Sequence, residues 1–176
     1  MVERMSEIAR PMRKPLSPGR LHVKVIGIIS DTHGLLREEA LAALGGCELI
    51  IHAGDVGSPM VLDRLSEIAP VIAVRGNVDT APWAQVLPET EVVRIASHSL
   101  YVLHDRSRLT LDPARFGMAA VVFGHSHKPL AETRDGMLYL NPGSAGPRRF
   151  RLPTTVARLH VSVDRLQPEI VLLPIS

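Results

Sequence analysis

A single cysteine, Cys47, excludes an internal disulfide and a thiolate metal cluster. Its neighbours Gly45, Gly46 and Glu48 suit an ordinary half-buried thiol, and a reducing cytoplasm is the expected compartment. Aromatic residues are scarce at 3%, so the core must be built from Val, Ile, Leu and Ala. No run is long and apolar enough to cross a bilayer, and the first twenty residues lack the apolar stretch of a signal peptide. Residues 1–20, with Pro11, Pro15 and Pro18, read as a flexible leader, and 21–176 as a single domain. An excess of one charge is missing too. The leader holds five of the 20 basic residues and two of the 18 acidic ones, which leaves the rest of the chain at −1. A near-neutral domain has no basic face for nucleic acid, so neither nucleic acid nor membrane is an expected partner. Self-association into a homo-oligomer is compatible with the composition. Internal repeats and low-complexity tracts are absent as well. What is present, 45% hydrophobic and 22% charged residues, is the composition of a globular domain.

The first half alternates strand and helix. His22–Ser30 is a strand, apolar on both faces in its second half, as a central strand should be. It runs into Asp31-Thr32-His33-Gly34. Leu35–Leu44 has near-3.6 spacing of Leu35, Leu36, Ala40, Leu41 and Leu44 and stops at Gly45-Gly46, which predicts a helix. Leu49–Ala53 is a second strand, ending in Gly54-Asp55. Ser58 and Pro59 are placed to open a helix that runs to about Ala69. Val71–Val74 is a third strand, ending in Gly76-Asn77-Val78-Asp79. This order implies a parallel sheet with right-handed crossovers, whose ligand sites lie at the carboxyl ends of the strands. The second half reads as hairpins. One joins Glu91–Ala96 to Leu100–Leu103 around Ser97-His98-Ser99 and runs into His104-Asp105. A second turns at Asp135-Gly136, between Pro129–Arg134 and Met137–Leu140. Between them a short helix is expected over Pro113–Gly117, then a buried strand over Met118–Phe123 that ends in Gly124-His125-Ser126-His127. Asn141-Pro142-Gly143-Ser144 is a turn, and Thr155–Val163 with Gln167–Leu173 close the chain as antiparallel strands. Two packed sheets with helices outside follow from this order.

The residues at these strand ends are Asp31, His33, Asp55, Asn77, His104, His125 and His127. Four imidazoles, two carboxylates and an amide exceed what one ion can use but suit two ions that share a carboxylate. Asp55 is the natural bridge, since Gly54 lets the chain turn closely. Without sulfur, the donor set favours Mn²⁺, Fe or Zn²⁺ over the all-oxygen ions Mg²⁺ and Ca²⁺. Two divalent ions against two carboxylates and a hydroxide leave a cationic centre that attracts phosphate. Such a centre lowers the pKa of water to about 7 and can assist hydrolysis of a phosphoester.

Asp31-Thr32-His33-Gly34, Gly54-Asp55, Gly76-Asn77-Val78-Asp79, His104 and Gly124-His125-Ser126-His127, in this order, resemble the signature of the calcineurin-like metallophosphoesterases. Asn141–Ser144 and the lack of a cap insertion narrow the likeness to the small single-domain phosphodiesterases, a group that includes the retromer scaffold subunit. The likeness spans roughly residues 22–173. It implies a four-layer α/β/β/α sandwich of two mixed β-sheets flanked by helices. It also implies a hydroxide-driven hydrolysis of a small-molecule phosphodiester at two divalent ions, Mn²⁺ first, with Fe, Zn²⁺ or Ni²⁺ as substitutes. Asp31, His33, Asp55 and His127 would hold one ion; Asp55, Asn77, His104 and His125 the other. On this reading Ser126 separates two imidazoles that serve different ions.

The chain departs from that pattern in three places. Val78 stands where many members have a histidine that protonates the leaving group, and Val56-Gly57-Ser58 follow Asp55 in place of Asp-Arg. Missing the histidine–aspartate acid pair shifts expectation toward good leaving groups or slow turnover. Asp105 stands where relatives commonly have glycine, close to the second ion. The alternative to an enzyme is a protein-binding scaffold with weak or vestigial phosphodiesterase activity, which predicts damaged ligand positions; none is damaged here. Among the other residues, Asp79 reads either as a partner behind a ligand or as a loop cap, and His52 as a core histidine. His22, His98 and His160 read as exposed, and Arg75, Arg148 and Arg149 as solvated. Loops around Trp83, Leu111 and Arg148 are the expected seat of specificity.

Overall fold

A computed structural model describes residues 23–149 and 151–174. The leader expected over 1–20, and His22, lie outside the described residues. Twelve regular elements follow in chain order: β1 (Lys24–Ile29), α1 (Glu38–Leu44), β2 (Leu49–His52), α2 (Pro59–Ser66), β3 (Val71–Ala73), β4 (Thr90–Ile95), β5 (His98–Leu103), β6 (Ala120–Val122), β7 (Leu130–Arg134), β8 (Met137–Asn141), β9 (Thr155–Val161) and β10 (Leu166–Leu172). They form two mixed sheets of five strands, ordered β10-β9-β1-β2-β3 and β4-β5-β6-β8-β7. Strands β1, β2 and β3 are parallel, with Ile28 opposite Ile51 and His52 opposite Ala73, as the strand–helix alternation predicts. In the second sheet β5, β6 and β8 are also parallel. The carboxyl ends of the parallel strands carry all the candidate ligands.

The sheets pack face to face. Ile26 and Ile28 of β1, Ile51 of β2, Leu100 and Val102 of β5, Leu140 of β8 and Leu159 of β9 fill the space between them. On the opposite face of the first sheet, Ile29, Ile50 and Val156 meet Leu44 of α1 and Val61 and Leu65 of α2. β1 therefore has no solvent face, which is why its run is apolar at every position after Lys24. Each of these side chains contributes roughly 1.5–3 kcal/mol by leaving water. On the outside of the second sheet Leu103, Val121, Phe123 and Met137 pack with Leu109 and Met118, from the segment that carries 3₁₀ turns at Arg106–Arg108 and Pro113–Phe116. There the Arg106 guanidinium lies over the rings of Phe123, at 5.1 Å, and Tyr139, at 5.7 Å.

Element boundaries differ from the sequence expectations where the chain makes tertiary contacts. The first helix begins at Glu38, not Leu35, because Thr32–Leu35 closes a turn behind the strand end and leaves Leu35 exposed. The second ends at Ser66; Ser58 takes the N-cap position without a side-chain hydrogen bond. Pro113–Phe116 is a 3₁₀ turn and the strand after it is only Ala120–Val122. The β4–β5 hairpin is tighter than expected, with Ile95 opposite His98 and Ala96 in the left-handed region at φ 52°. That register puts His98 inside a strand, half-buried, with Nε2 2.9 Å from the Ser162 carbonyl. His160 is likewise half-buried and reaches Glu169, so neither histidine is the exposed group expected. Cys47 is buried, further in than its glycine neighbours suggest. Trp83 packs with Leu87 against the helical side of the first sheet.

Candidate metal centre

Seven non-glycine residues among those described have positive φ, and five are candidate ligands: Asp31 (55°), His33 (49°), Asp55 (55°), His125 (67°) and His127 (58°). A left-handed conformation costs a residue with a Cβ about 1–3 kcal/mol, and it concentrates at functional sites. Here each strand stops with a reversal that turns one side chain back over the sheet edge. Backbone bonds hold the reversals together: Asp31 N–H donates to Gly54 O at 3.0 Å, His33 N–H to Asp55 O at 2.9 Å, and Gly124 N–H to His104 O at 2.9 Å. The loops approach closely enough to require glycine. A Cβ on Gly54 would lie 2.7 Å from His104 Nδ1, and one on Gly124 would lie 2.7 Å from Asp31 Oδ2.

Two groups of potential ligand atoms result among the described residues, Asp31 with His33 and His127, and Asp31 with Asp55 and His104. Asp31 Oδ1 is 3.2 Å from His127 Nε2 and 3.9 Å from His104 Nε2. Asp55 Oδ2 is 3.3 Å from His104 Nε2 and 3.9 Å from His33 Nε2. Both carboxylates thus face both groups; Asp31 is the residue shared by the atom groupings, where the sequence reading makes Asp55 the bridge. His125 and Asn77 sit at the outer end, exposed, with His125 Nδ1 3.1 Å from Asn77 Oδ1. The His125 ring meets the His104 ring edge-on at 5.3 Å, while His127 lies beside His33, with 5.3 Å between ring centroids. The two histidines of the His-Ser-His stretch therefore lie with different neighbours.

The donor set fits divalent cations. Asp31 Oδ1 and His104 Nε2 are buried and have no hydrogen-bond partner. Unpartnered buried polar atoms are costly unless something else satisfies them. His104 Nδ1 donates to Ala53 O at 2.7 Å, which turns Nε2 toward the carboxylates. Burial pulls the His104 pKa down, but the carboxylate of Asp55, 3.3 Å from Nε2, and the charge of Asp31 outweigh burial and the net shift is upward. Asp55 is shifted down: burial opposes this, and the nearby His104 imidazole and the Val78 N–H, 3.0 Å from Oδ1, overcome it. His33 is shifted down by burial, partly offset by Asp55.

Several residues outside the ligand set hold it in place. Asp79 accepts from three backbone amides, Val56 (3.1 Å), Gly57 (2.8 Å) and Gly76 (2.8 Å), and so ties the Asp55 loop to the Asn77 loop. Asn141 donates to Gly124 O (2.8 Å) and to Ser126 Oγ (3.1 Å), and Ser144 Oγ donates to Asp31 O (3.0 Å). The Asn-Pro-Gly-Ser turn is thus a brace between the His125 and Asp31 loops, a role its sequence does not reveal. Arg75 is not simply solvated: it donates to Gln85 (3.0 Å) and Glu89 (2.9 Å).

His52 is fully buried, as a core histidine should be, yet both ring nitrogens are engaged. Gly54 N–H donates to Nδ1 at 3.2 Å, so Nε2 carries the proton toward Thr32 Oγ1 at 2.9 Å, and Thr32 donates on to Val56 O at 2.9 Å. The chain staples the Asp31 loop to the Asp55 loop. Burial lowers the His52 pKa from 6.5 to about 4. As pH falls, the unfolded chain takes up this proton first. Stability is full above about pH 6.5 and declines as pH falls through about 4, by roughly 3 kcal/mol for the metal-free protein. NMR titration of the imidazole checks this: His52 should stay neutral from pH 8 to pH 5, and a midpoint near 6.5 would contradict it.

The model of the calcineurin-like phosphoesterase superfamily domain matches residues 25–164. A probable metallophosphoesterase of Methanothermobacter thermautotrophicus is 31% identical over 159 residues, covering 84% of this chain and 91% of the relative. The phosphodiesterase YfcE of Escherichia coli K12 is 32% identical over 145 residues, covering 65% of this chain and 76% of YfcE. Among solved structures, an archaeal phosphodiesterase superposes with TM-score 0.71 at 24% identity, covering 85% of this chain and 99% of that one. Vps29 of Cryptosporidium parvum does so with TM-score 0.70 at 21% identity, covering 85% and 96%. At those identities the structural likeness speaks for the fold alone.

Proposed function

The chain belongs to the calcineurin-like phosphoesterase superfamily, and from that membership we propose that it is a metal-dependent hydrolase of small-molecule phosphodiesters. The observation that carries the reading is the convergence of Asp31, His33, Asp55, His104 and His127 at one edge of both sheets, with unpartnered ligand atoms aimed inward. Asp31, His33, Asp55 and His127 would hold one ion and Asp55, Asn77, His104 and His125 a second. Two divalent ions, when bound, polarise phosphoryl oxygens and lower the pKa of water toward neutrality. The chain's own part is orientation and charge. Left-handed backbone at the ligands sets their directions before any ion arrives. Asp79 and Asn141 hold the loops from behind. Mixed nitrogen and oxygen donors support Mn²⁺, with Fe, Zn²⁺ and Ni²⁺ as alternatives.

Val78 is 42% exposed beside the centre and offers only its N–H, to Asp55, so this position supplies no acid for the leaving group. Substrates with stable leaving anions are part of the proposal. No described helix is long and apolar enough to cross a membrane. A cytoplasmic location, supported by the single buried thiol of Cys47, belongs to the same reading. The test is Mn²⁺-reloaded protein with bis(4-nitrophenyl) phosphate. Turnover should require added metal and fall to the metal-free rate in Asn77→Ala. Equal turnover by wild type and that variant would remove Asn77 from the site, and no metal-dependent turnover at all would overturn the reading.

A further inference from the structure

A pocket of about 280 Å³ opens off one side of the centre. Asn77, His104 and His125 line it; Asp31, His33 and His127 do not. A phosphodiester held at the centre would therefore meet a shaped wall on that side.

The rest of the wall comes from the segments around β4 and β5. Glu89 lies between two guanidiniums, 2.9 Å from Arg75 Nη2 and 3.7 Å from Arg108 Nη2. Asp105 accepts from Ser107 N–H with Oδ1 at 2.9 Å, and its Oδ2 lies 3.9 Å from His125 Nε2. Gly76, Thr90, Tyr101, Leu103 and Thr110 complete the lining. Two positive and two negative side chains balance on the wall, and their hydrogen-bonding groups share it with the apolar surface of Tyr101 and Leu103. An anionic substituent would meet Glu89 and Asp105. A cationic one would meet Arg75 and Arg108. An apolar ring would strip water from paired ions without replacing their hydrogen bonds. A neutral group with several hydroxyls satisfies both kinds of partner. The volume is below the roughly 300–1,000 Å³ of pockets for drug-sized ligands, so the group is small.

We propose that the pocket walled by Arg75, Glu89, Asp105 and Arg108 is a subsite for one alcohol arm of the phosphodiester, and that it takes a small neutral polyhydroxylated arm, a glyceryl or single-sugar ester. The inference rests on the phosphodiesterase reading above. Of the loops around Trp83, Leu111 and Arg148 it keeps the one that carries Thr110, and it adds the wall built on β4, β5 and the turn after β5.

Matched esters test it. Mn²⁺-loaded full-length protein is given 4-nitrophenyl glyceryl phosphate and 4-nitrophenyl propyl phosphate. Both lose 4-nitrophenolate as water adds to phosphorus, and they differ only in the hydroxyls of the retained arm. The expected result is a kcat/KM at least about tenfold higher for the glyceryl ester, because a polar site rejects an arm that leaves its groups unpaired. Glu89→Gln and Arg108→Ala, both at exposed positions, should bring the ratio toward one. A ratio within twofold in the wild type, or a still better substrate when the arm carries a further phosphate, overturns the subsite while leaving the hydrolase intact. Hydrolysis of neither ester overturns the phosphodiesterase reading itself. Binding gives a readout free of turnover: without added metal, glyceryl methyl phosphate should shift the NMR amide signals of Thr90, Arg108 and Thr110 more than propyl methyl phosphate does. Equal shifts from the two esters would also overturn the subsite.

Discussion

Asp31→Asn is expected to lower phosphodiester turnover by at least about 10³-fold while making the metal-free protein more stable. Asp31 is fully buried, its Oδ2 accepts from His125 N–H at 3.1 Å, and its Oδ1 has no partner. Oδ1 also faces a second buried carboxylate, Asp55, across His104, all within 4.8 Å. Without cations two buried carboxylates share one imidazole and are held by strained backbone, the kind of site where stability is given up for function. An amide keeps the shape and removes one charge. The metal-free variant should gain about 1–2 kcal/mol, a rise in Tm of several degrees for a chain of this length. Turnover and thermal melts of the same preparation check both halves. Activity within tenfold of wild type would show that Asp31 is not a ligand. A metal-free variant less stable than wild type would show that the carboxylate is held by something other than the missing cation.

Adding Mn²⁺ should raise the melting temperature steeply. An ion that binds only the folded chain stabilises it by about 4 kcal/mol at a thousandfold above its Kd. For a chain of 176 residues that corresponds to about 8–16 °C per site, and chelation should reverse it. The gain is large because the ions satisfy groups that folding alone leaves unpartnered. Mg²⁺, which favours all-oxygen ligands, should give a smaller shift at equal concentration, since most of the donors are imidazoles. The two histidines around Ser126 should divide the effect. His127, beside His33 and Asp31, and His125, beside Asn77 and His104, belong to opposite ends of the centre. His127→Ala and His125→Ala should each lose about one equivalent of bound Mn²⁺ and part of the thermal gain. Loss of both equivalents in one variant and none in the other would contradict the division.

Much of this molecule follows from local pattern. β1 is uniformly apolar because both of its faces are covered, and its end is marked by Asp31-Thr32-His33-Gly34. The Asp135-Gly136 hairpin forms where expected, with both residues at positive φ. In each case residues within a few positions of one another determine the outcome, so the sequence displays it directly. The strand-end motifs share this property: parallel strands in one sheet point their carboxyl ends the same way, and whatever the motifs carry must assemble there.

The residues that the sequence left undecided act across long separations. Asp79 reads locally as either a ligand partner or a loop cap, and its three amide bonds depend on how the β2 and β3 loops approach. His52 looked like an ordinary core residue, and only the meeting of the Asp31 and Asp55 loops gives its two nitrogens their partners. Asn141 braces the loop that follows β6 in its own sheet, and Ser144 reaches Asp31 of the other sheet, 113 residues away. Glu89, Arg108 and Asp105 form a pocket wall only because β4 and β5 stack beside β6 with one particular register. What the sequence determined by itself is the set of chemical groups and the strand ends that carry them, since hydrophobic periodicity and turn chemistry are local. What only the tertiary structure decided is the arrangement about His125 and His127: which ligands face each imidazole, what holds them, and which side of the centre is walled. Those depend on the packing of two sheets whose contacts no short stretch of chain encodes.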